Sequence, residues 1–275
     1  MSKKKQRKKR MGRSRKRARR QRLILLILIA IIGLCAVLNR VFSRNNEPQA
    51  ADDPAANSQE YDQPVCEQDF SQLNVPGIDV SSFQGEIDWN AVAQNGVQFA
   101  FIRLAVRGYQ TGEIYMDEKF WDNLIGAREA GLKVGVYFFS QSISSQEALE
   151  EAQYVLDTLD GTELDLPVVF DFELPSDETA RTHVLEEEEI CQQARDFLGL
   201  IEASGYQGML YTNGALYPTY ANGGLLDDYP LWYAVYGVNA PTVCDVDIWQ
   251  SSDTGWVDGI ADHHVDLDWM RADFQ

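Results

Sequence analysis

Between Gly77 and Ala203 short β-rich apolar runs alternate with helix-length segments, an order that calls for a parallel sheet with crossover helices. The strand-like runs are Gly77 to Val80, Phe99 to Arg103, Val134 to Phe139 and Leu166 to Phe172. The helix-like segments are Asp88 to Gln94, Phe120 to Ala130, Ser145 to Leu159 and Leu185 to Ala203. Gly131 is placed to close the second helix and Ser144 or Ser145 to open the third. After Ala203 come four more strand-like runs, Gly208 to Thr212, Leu231 to Val235, Val246 to Gln250 and His264 to Asp268. Their links are too short, or too rich in Gly, Asn and Pro, for full helices. Eight strands with helices only in the first half predict an α/β fold, an irregular TIM-like β/α barrel with a helix-poor second half. No internal repeat is present.

The fourth run ends in Asp171-Phe172-Glu173. Strand side chains alternate faces, so both acids point the same way, their Cα atoms about 6.6 Å apart at a rise of about 3.3 Å per residue. Two like charges on one face at the end of a buried strand raise the pKa of at least one. A protonated acid beside a carboxylate is the equipment for cleaving a glycosidic bond. A strand that simply reaches solvent would also turn polar, so the other strand ends matter. In a β/α barrel the functional groups gather at the C-terminal ends of the strands. There the first strand brings Asp79 and the eighth Asp266 and Asp268. Tyr137, Tyr211, Asn213, Trp232, Tyr236, Trp249 and Gln250 accompany them. Aromatic faces stack on sugar rings while acids and amides bind hydroxyls; some of these aromatics are expected simply to fill the core.

The rest of the chain is a different material. Residues 1–22 carry 14 Lys/Arg and no acid, and Leu23 to Leu38 is uncharged and almost wholly apolar. Extended to Phe42, that run is long enough for one transmembrane helix, and its basic flank predicts a cytoplasmic N-terminus with the remainder outside. A cleaved signal peptide lacks an Ala-x-Ala site directly after the run, a lipoprotein would not carry Cys35 inside it, and a nuclear or RNA-binding tail would not explain it. Residues 43–73 read as a flexible linker and 74–275 as the barrel. Beyond residue 50 there are 8 Lys/Arg against 41 Asp/Glu, a formal charge of −33 inside an overall −18. That excludes a nucleic-acid partner, because phosphate binding needs clustered Lys/Arg. Outside the apolar run Cys66, Cys191 and Cys244 allow at most one intramolecular disulfide.

The ordered set Gly77-Ile78-Asp79-Val80-Ser81, Asp88-Trp89, Phe101-Ile102-Arg103 with Arg107-Gly108-Tyr109, Gly131 to Ser140, Pro167 to Glu173, Leu210 to Asn213, Leu231 to Ala234, Trp249-Gln250 and Val265 to Asp268 resembles the glycoside hydrolase family 25 lysozymes, the Chalaropsis-type N-acetylmuramidases. The resemblance covers essentially the whole barrel. It implies an irregular β/α barrel with fewer than eight helices, no cofactor, and peptidoglycan as substrate, cut at the β-1,4 bond from N-acetylmuramic acid to N-acetylglucosamine. Glu173 would be the general acid and Asp171 the second carboxylate, with Asp79 and Asp266 completing the acidic floor. Retaining, inverting and substrate-assisted routes all remain open, the last favoured because the substrate carries an N-acetyl group. Many relatives have His where this chain has Phe138, a difference expected to alter affinity or preference.

Other features carry less. His263-His264 resembles a metal pair but lacks a third ligand at familiar spacing. Glu186 to Glu189 suits the positive end of a helix dipole. Ser81-Ser82 has no His partner, and Arg103 is expected to pair with the acid cluster. The leading expectation is a membrane-tethered wall hydrolase, held through residues 23–42 and acting in wall remodelling or local wall opening. Its rivals are a glycan-binding barrel without catalysis and a platform for an envelope complex.

Overall fold

The computed structural model describes residues 68–260 and 264–274. The basic segment 1–22, the apolar run 23–42, most of the expected linker, Cys66 and His263 lie outside them. Among the described residues no helix is long and apolar enough to cross a membrane.

The strands are β1 Leu73–Val80, β2 Phe99–Arg107, β3 Ile114–Met116, β4 Lys133–Ser140, β5 Val168–Phe172, β6 Gly208–Asn213, β7 Leu231–Ala234, β8 Ile248–Gly255 and β9 Val265–Arg271. The helices are α1 Trp89–Gln94, α2 Phe120–Glu129, α3 Ser145–Leu159, α4 Glu187–Ala203 and α5 Tyr217–Asn222. Eight strands close into a barrel in the order β1-β2-β4-β5-β6-β7-β8-β9, with β9 returning to β1 and the short β3 paired outside on β2. The closed barrel and its helix-poor second half agree with the sequence reading. That reading missed β3 and α5.

One direction differs from expectation. Parallel pairing runs from β1 through β8, but β9 is antiparallel to both β8 and β1. A parallel neighbour needs a crossover of a dozen or more residues, the link from Gly255 to Val265 is shorter than that, and its described residues form no helix. The chain therefore turns back, and β9 runs from the mouth of the barrel to its base. The barrel also begins before residue 74. Gln68 exchanges two hydrogen bonds with the backbone of Val246 at the base, at 2.6 and 2.9 Å, and a 3₁₀ turn over Phe70–Gln72 leads into β1. Both described ends lie at the base and leave the mouth clear.

Local chemistry explains the elements. The Asp88 side chain accepts from Ala91 N–H to open α1, and the Ser144 hydroxyl does the same for Glu147 in α3. Glu189 reaches back to the Glu186 N–H in the acidic first turn of α4, where the helix dipole favours negative charge. Alternation then divides the core into two layers. Val168, Phe170 and Phe172 of β5 face outward with Val134, Val136 and Phe138 of β4, against α3 and α4. Phe138 and Phe170 meet Phe197 of α4 with ring centroids 6.1 and 5.2 Å apart. Inside, Phe99, Phe101, Val169, Met209, Trp232, Ile248 and Met270 fill the lower barrel, and Phe101 stacks on Trp232 at 4.7 Å. The barrel is a packed core open only at its mouth, as such barrels are.

Two glycines make room for that filling. A Cβ on Gly77 would stand 2.2 Å from the Phe99 ring, and one on Gly135 would stand 2.3 Å from Phe101 and 2.8 Å from the Pro167 carbonyl oxygen. Backbone cannot yield as a flexible side chain does. Gly135→Ala is therefore expected to destabilise by about 1–3 kcal/mol through overpacking, read as a lowered denaturation midpoint at unchanged slope; an unaltered midpoint would refute the close-packed interior.

Cysteine usage has one surprise. Cys191 is a free buried thiol, donating to the Thr219 carbonyl at 3.4 Å. Cys244 is disulfide-bonded, and its partner lies outside the described residues.

Candidate active site

The barrel ladders bring the predicted acids together. Asp79 of β1 pairs with Asp266 of β9, Asp171 of β5 with Tyr211 of β6, Tyr211 with Trp232 of β7, and Gln250 of β8 with Asp268 of β9. Each faces the interior, because the residues beside it in sequence face the helix layer. The result is a mouth cavity of about 320 Å³ lined by Asp79, Asp171, Glu173 and Asp266 with Arg103, Tyr137, Tyr211, Trp232, Tyr236 and Gln250. Asp266 reaches it from the beginning of β9 rather than from a strand end, because β9 runs downward. Asp268 lies deeper on the same strand and is 1% exposed.

A hydrogen-bond network fixes the polar groups. Gln250 donates through Nε2 to Asp79 Oδ2 at 2.7 Å. Its Oε1 accepts the hydroxyls of Tyr211 at 3.1 Å and Tyr236 at 2.6 Å. One side chain thus orients a carboxylate and two phenols, and the two phenol donors set which end of the amide faces Asp79. Trp232 Nε1 donates to Asp268 Oδ1 at 2.9 Å.

Burial dominates the electrostatics. It holds Asp171 well above the ordinary carboxylate range, with the charge of Glu173 adding and the Arg103 guanidinium opposing. Glu173, half-buried, is also raised by burial, against a hydrogen bond from Tyr211 that favours its charged form. Asp79 is raised by burial and then by the charges of Asp268 and Asp266. Burial pushes Asp266 up to about 6 despite its hydrogen bond with Asp79. So many acids around one small cavity cannot all ionise cheaply; the protonated acid that glycosidic cleavage requires is built into the cluster.

Several expected placements change. Trp249 does not line the cavity: it is the neighbour of Gln250 on a strand, so it faces the opposite side and donates its Nε1 proton to the Val235 carbonyl at 2.9 Å. Asn213 turns into the loop after β6, where its Oδ1 accepts from Ala215 N–H. Arg103 lines the cavity but pairs with Asp117, not with the acid cluster, at 2.8 Å, and donates to the Ser82 hydroxyl at 3.4 Å. Phe138 is buried against the helices, so the residue at this position does not face the site; its neighbour Phe139 does. Ser81 caps the turn over Ser82–Gln84, a structural use of its hydroxyl. Phe83 and Gln84 of that turn line the cavity and were missed. Their signal was position alone, in the loop that follows Asp79. Among the described residues no group of His, Cys, Asp and Glu is arranged to hold a metal ion, and His264 meets Trp256 edge-on, centroids 4.6 Å apart.

Comparison with known proteins fits this geometry. The family model described as glycosyl hydrolases family 25 matches residues 78–260. The chain is 31% identical over 193 residues to the autolytic lysozyme of Clostridium acetobutylicum, a match covering 70% of this chain and 54% of that protein, so it spans about half the length of this relative. The solved bacterial lysozyme of Streptomyces coelicolor superposes with a TM-score of 0.60 at 28% identity, over 72% of this chain and 92% of that one. The spore cortex lytic enzyme SleM of Clostridium perfringens superposes at 0.63 and 27% identity, over 75% and 70%.

Proposed function

The chain belongs to glycosyl hydrolases family 25, and from that premise we propose that it is a lysozyme, an N-acetylmuramidase that hydrolyses the β-1,4 bond between N-acetylmuramic acid and N-acetylglucosamine in peptidoglycan. The observation that carries this reading is one mouth cavity in which Asp79 of β1, the Asp171–Glu173 pair at the end of β5 and Asp266 of β9 sit among Tyr137, Tyr211, Trp232 and Tyr236. Aromatic faces there hold sugar rings, and the Gln250 network holds the acids and phenols in place.

Glu173 is the general acid. It is raised by burial and stands at the more open end of the Asp-x-Glu pair, where it protonates the leaving glycosidic oxygen. Asp171 is deeply buried, and its Oδ1 has no hydrogen-bond partner among the described residues. A carboxyl held toward its neutral form is a poor nucleophile. It is better suited to hold the substrate's acetamido N–H while the acetamido oxygen attacks the anomeric carbon. The C1–oxygen bond breaks as that ring closes and the Glu173 proton goes to the departing oxygen. Water then opens the ring with Glu173 as base, and configuration at C1 is retained.

Residues 1–22 and 23–42 support a single-pass anchor with a cytoplasmic N-terminus and the barrel at the cell surface. There it serves wall remodelling or local wall opening. Recovery of the full-length chain as a soluble protein in the medium would count against that placement.

Product analysis tests the activity. Purified peptidoglycan digested with the full chain is expected to yield fragments with N-acetylmuramic acid at the new reducing end by mass spectrometry. Reducing-end N-acetylglucosamine or anhydro sugars would assign a different bond or a different reaction. Binding without any release would favour a glycan-binding barrel.

A further inference from the structure

Glu173 stands just past the end of the sheet. The β4–β5 ladder closes at Ser140 and Phe172, and the β5–β6 ladder at Asp171 and Tyr211. Among the described residues no backbone N–H donates to the Glu173 carbonyl. The Gln141 side chain donates instead, from Nε2 at 2.7 Å. Gln141 directly follows β4 and is fully buried. Its Oε1 accepts the Thr182 hydroxyl at 3.3 Å, and that donor sets which end of the amide faces Glu173. Thr182 is also buried, in the 3₁₀ turn Arg181–Val184 on the way from β5 to α4. The turn is fastened on two sides. Arg181 N–H donates to the Tyr109 carbonyl at 2.9 Å, and the Arg181 guanidinium pairs with Glu147 of α3.

We propose that Gln141 is a positioning residue for the general acid: its amide adds one side-chain rung to the β4–β5 ladder and so sets where Glu173 presents its carboxyl. Gln141 does not line the cavity, so it acts through Glu173 and not on the sugar. Asp171 needs no such help, because strand pairing holds it from both β4 and β6. Glu173 has lost that support and is only half-buried, so a freed backbone would let its carboxyl swing toward solvent. A displacement of about 1 Å at a reacting group costs on the order of 10²-fold in rate. Thr182 serves the same end at one remove, by orienting the Gln141 amide. The catalytic consequence rests on the hydrolase reading; the placement of the Glu173 carboxyl does not.

The test uses the full chain as wild type, Q141M, T182V and the double variant. Met keeps the length of the side chain and removes the donor. Q141M is expected to lose roughly ten- to a hundred-fold in kcat on soluble glycan fragments, with KM within about three-fold because the sugar-facing lining is untouched. Its alkaline limb should move down toward the ordinary glutamate range, since a loosened Glu173 gains solvent. T182V is expected to lose less, and to cost almost nothing further once Q141M is present, because it acts only through that amide. Wild-type kcat and limb per folded molecule in Q141M would overturn the proposal, and so would additive losses in the double variant. Carbon NMR titration reads the carboxyl without substrate, the Glu173 signal being the one missing from E173Q. Glu173 is expected to titrate at lower pH in Q141M than in wild type, and coincident curves overturn the positioning even if no wall hydrolysis is found. That shift in a wild-type background without hydrolysis would count against the hydrolase reading alone. If Q141M fails to fold, T182V decides by the same titration: a smaller shift in the same direction is expected, and none overturns the proposal.

Discussion

Glu173→Gln is expected to lower kcat/KM on peptidoglycan by about 10²–10⁴-fold, the usual contribution of a positioned general acid. Gln preserves the size of the side chain, but it has no acidic proton to give the leaving oxygen. Binding to insoluble wall should persist, since Asp79, Asp171 and the aromatic lining are untouched. The pH dependence has a definite sign. Burial raises Glu173, so its acid form survives above the ordinary glutamate range near ~4.3, and the rate falls as pH rises through the raised value. The alkaline limb of kcat should therefore lie above that range in the wild type and vanish from the residual activity of the variant. Reducing-end release by Glu173→Gln equal to wild type would move the acid to another residue.

Asp171→Asn is expected to cost about 10²–10³-fold in kcat, the range for removing one group aimed at developing charge. The loss should depend on the substrate. If Asp171 acts through the acetamido group, wild type should lose a comparable factor on glycan stripped of that acetyl group, and the variant should then lose little more. Groups that act as a unit are non-additive in this way. Full additivity of the two losses would show that Asp171 acts on the anomeric carbon or on water instead. The Asn variant is also expected to fold, because a neutral amide of the same size replaces a buried carboxyl that is held toward its neutral form and whose Oδ1 is unpartnered, and the Phe170–Phe172 packing of β5 stays intact.

Much of the site was legible because strand alternation is a local rule. Asp171 and Glu173 had to share a face wherever β5 was placed, and Asp79, Tyr137 and Tyr211 followed from the same logic on their own strands. Trp249 and Gln250 show the limit of that rule. Neighbours on a strand cannot both face the interior, and which of them does depends on the register of β8 against β7 and β9. Phe138 and Phe139 pose the same choice, settled by the pairing of β4. Arg103 found Asp117 across a hairpin whose strand β3 is too short to announce itself in sequence.

By itself the sequence determined the family, the alternating barrel and the Asp-x-Glu pair, since each rests on residue types and spacings within a few positions of one another. The tertiary structure alone decided how the barrel closes. Because the last link is too short for a crossover, β9 enters from the mouth, and its first residues rather than its last supply the acid opposite Asp79. That reversal also carries Asp268 down beside Asp79 and Trp232. Such a contact depends on strand direction and register across the whole chain, which no local pattern encodes.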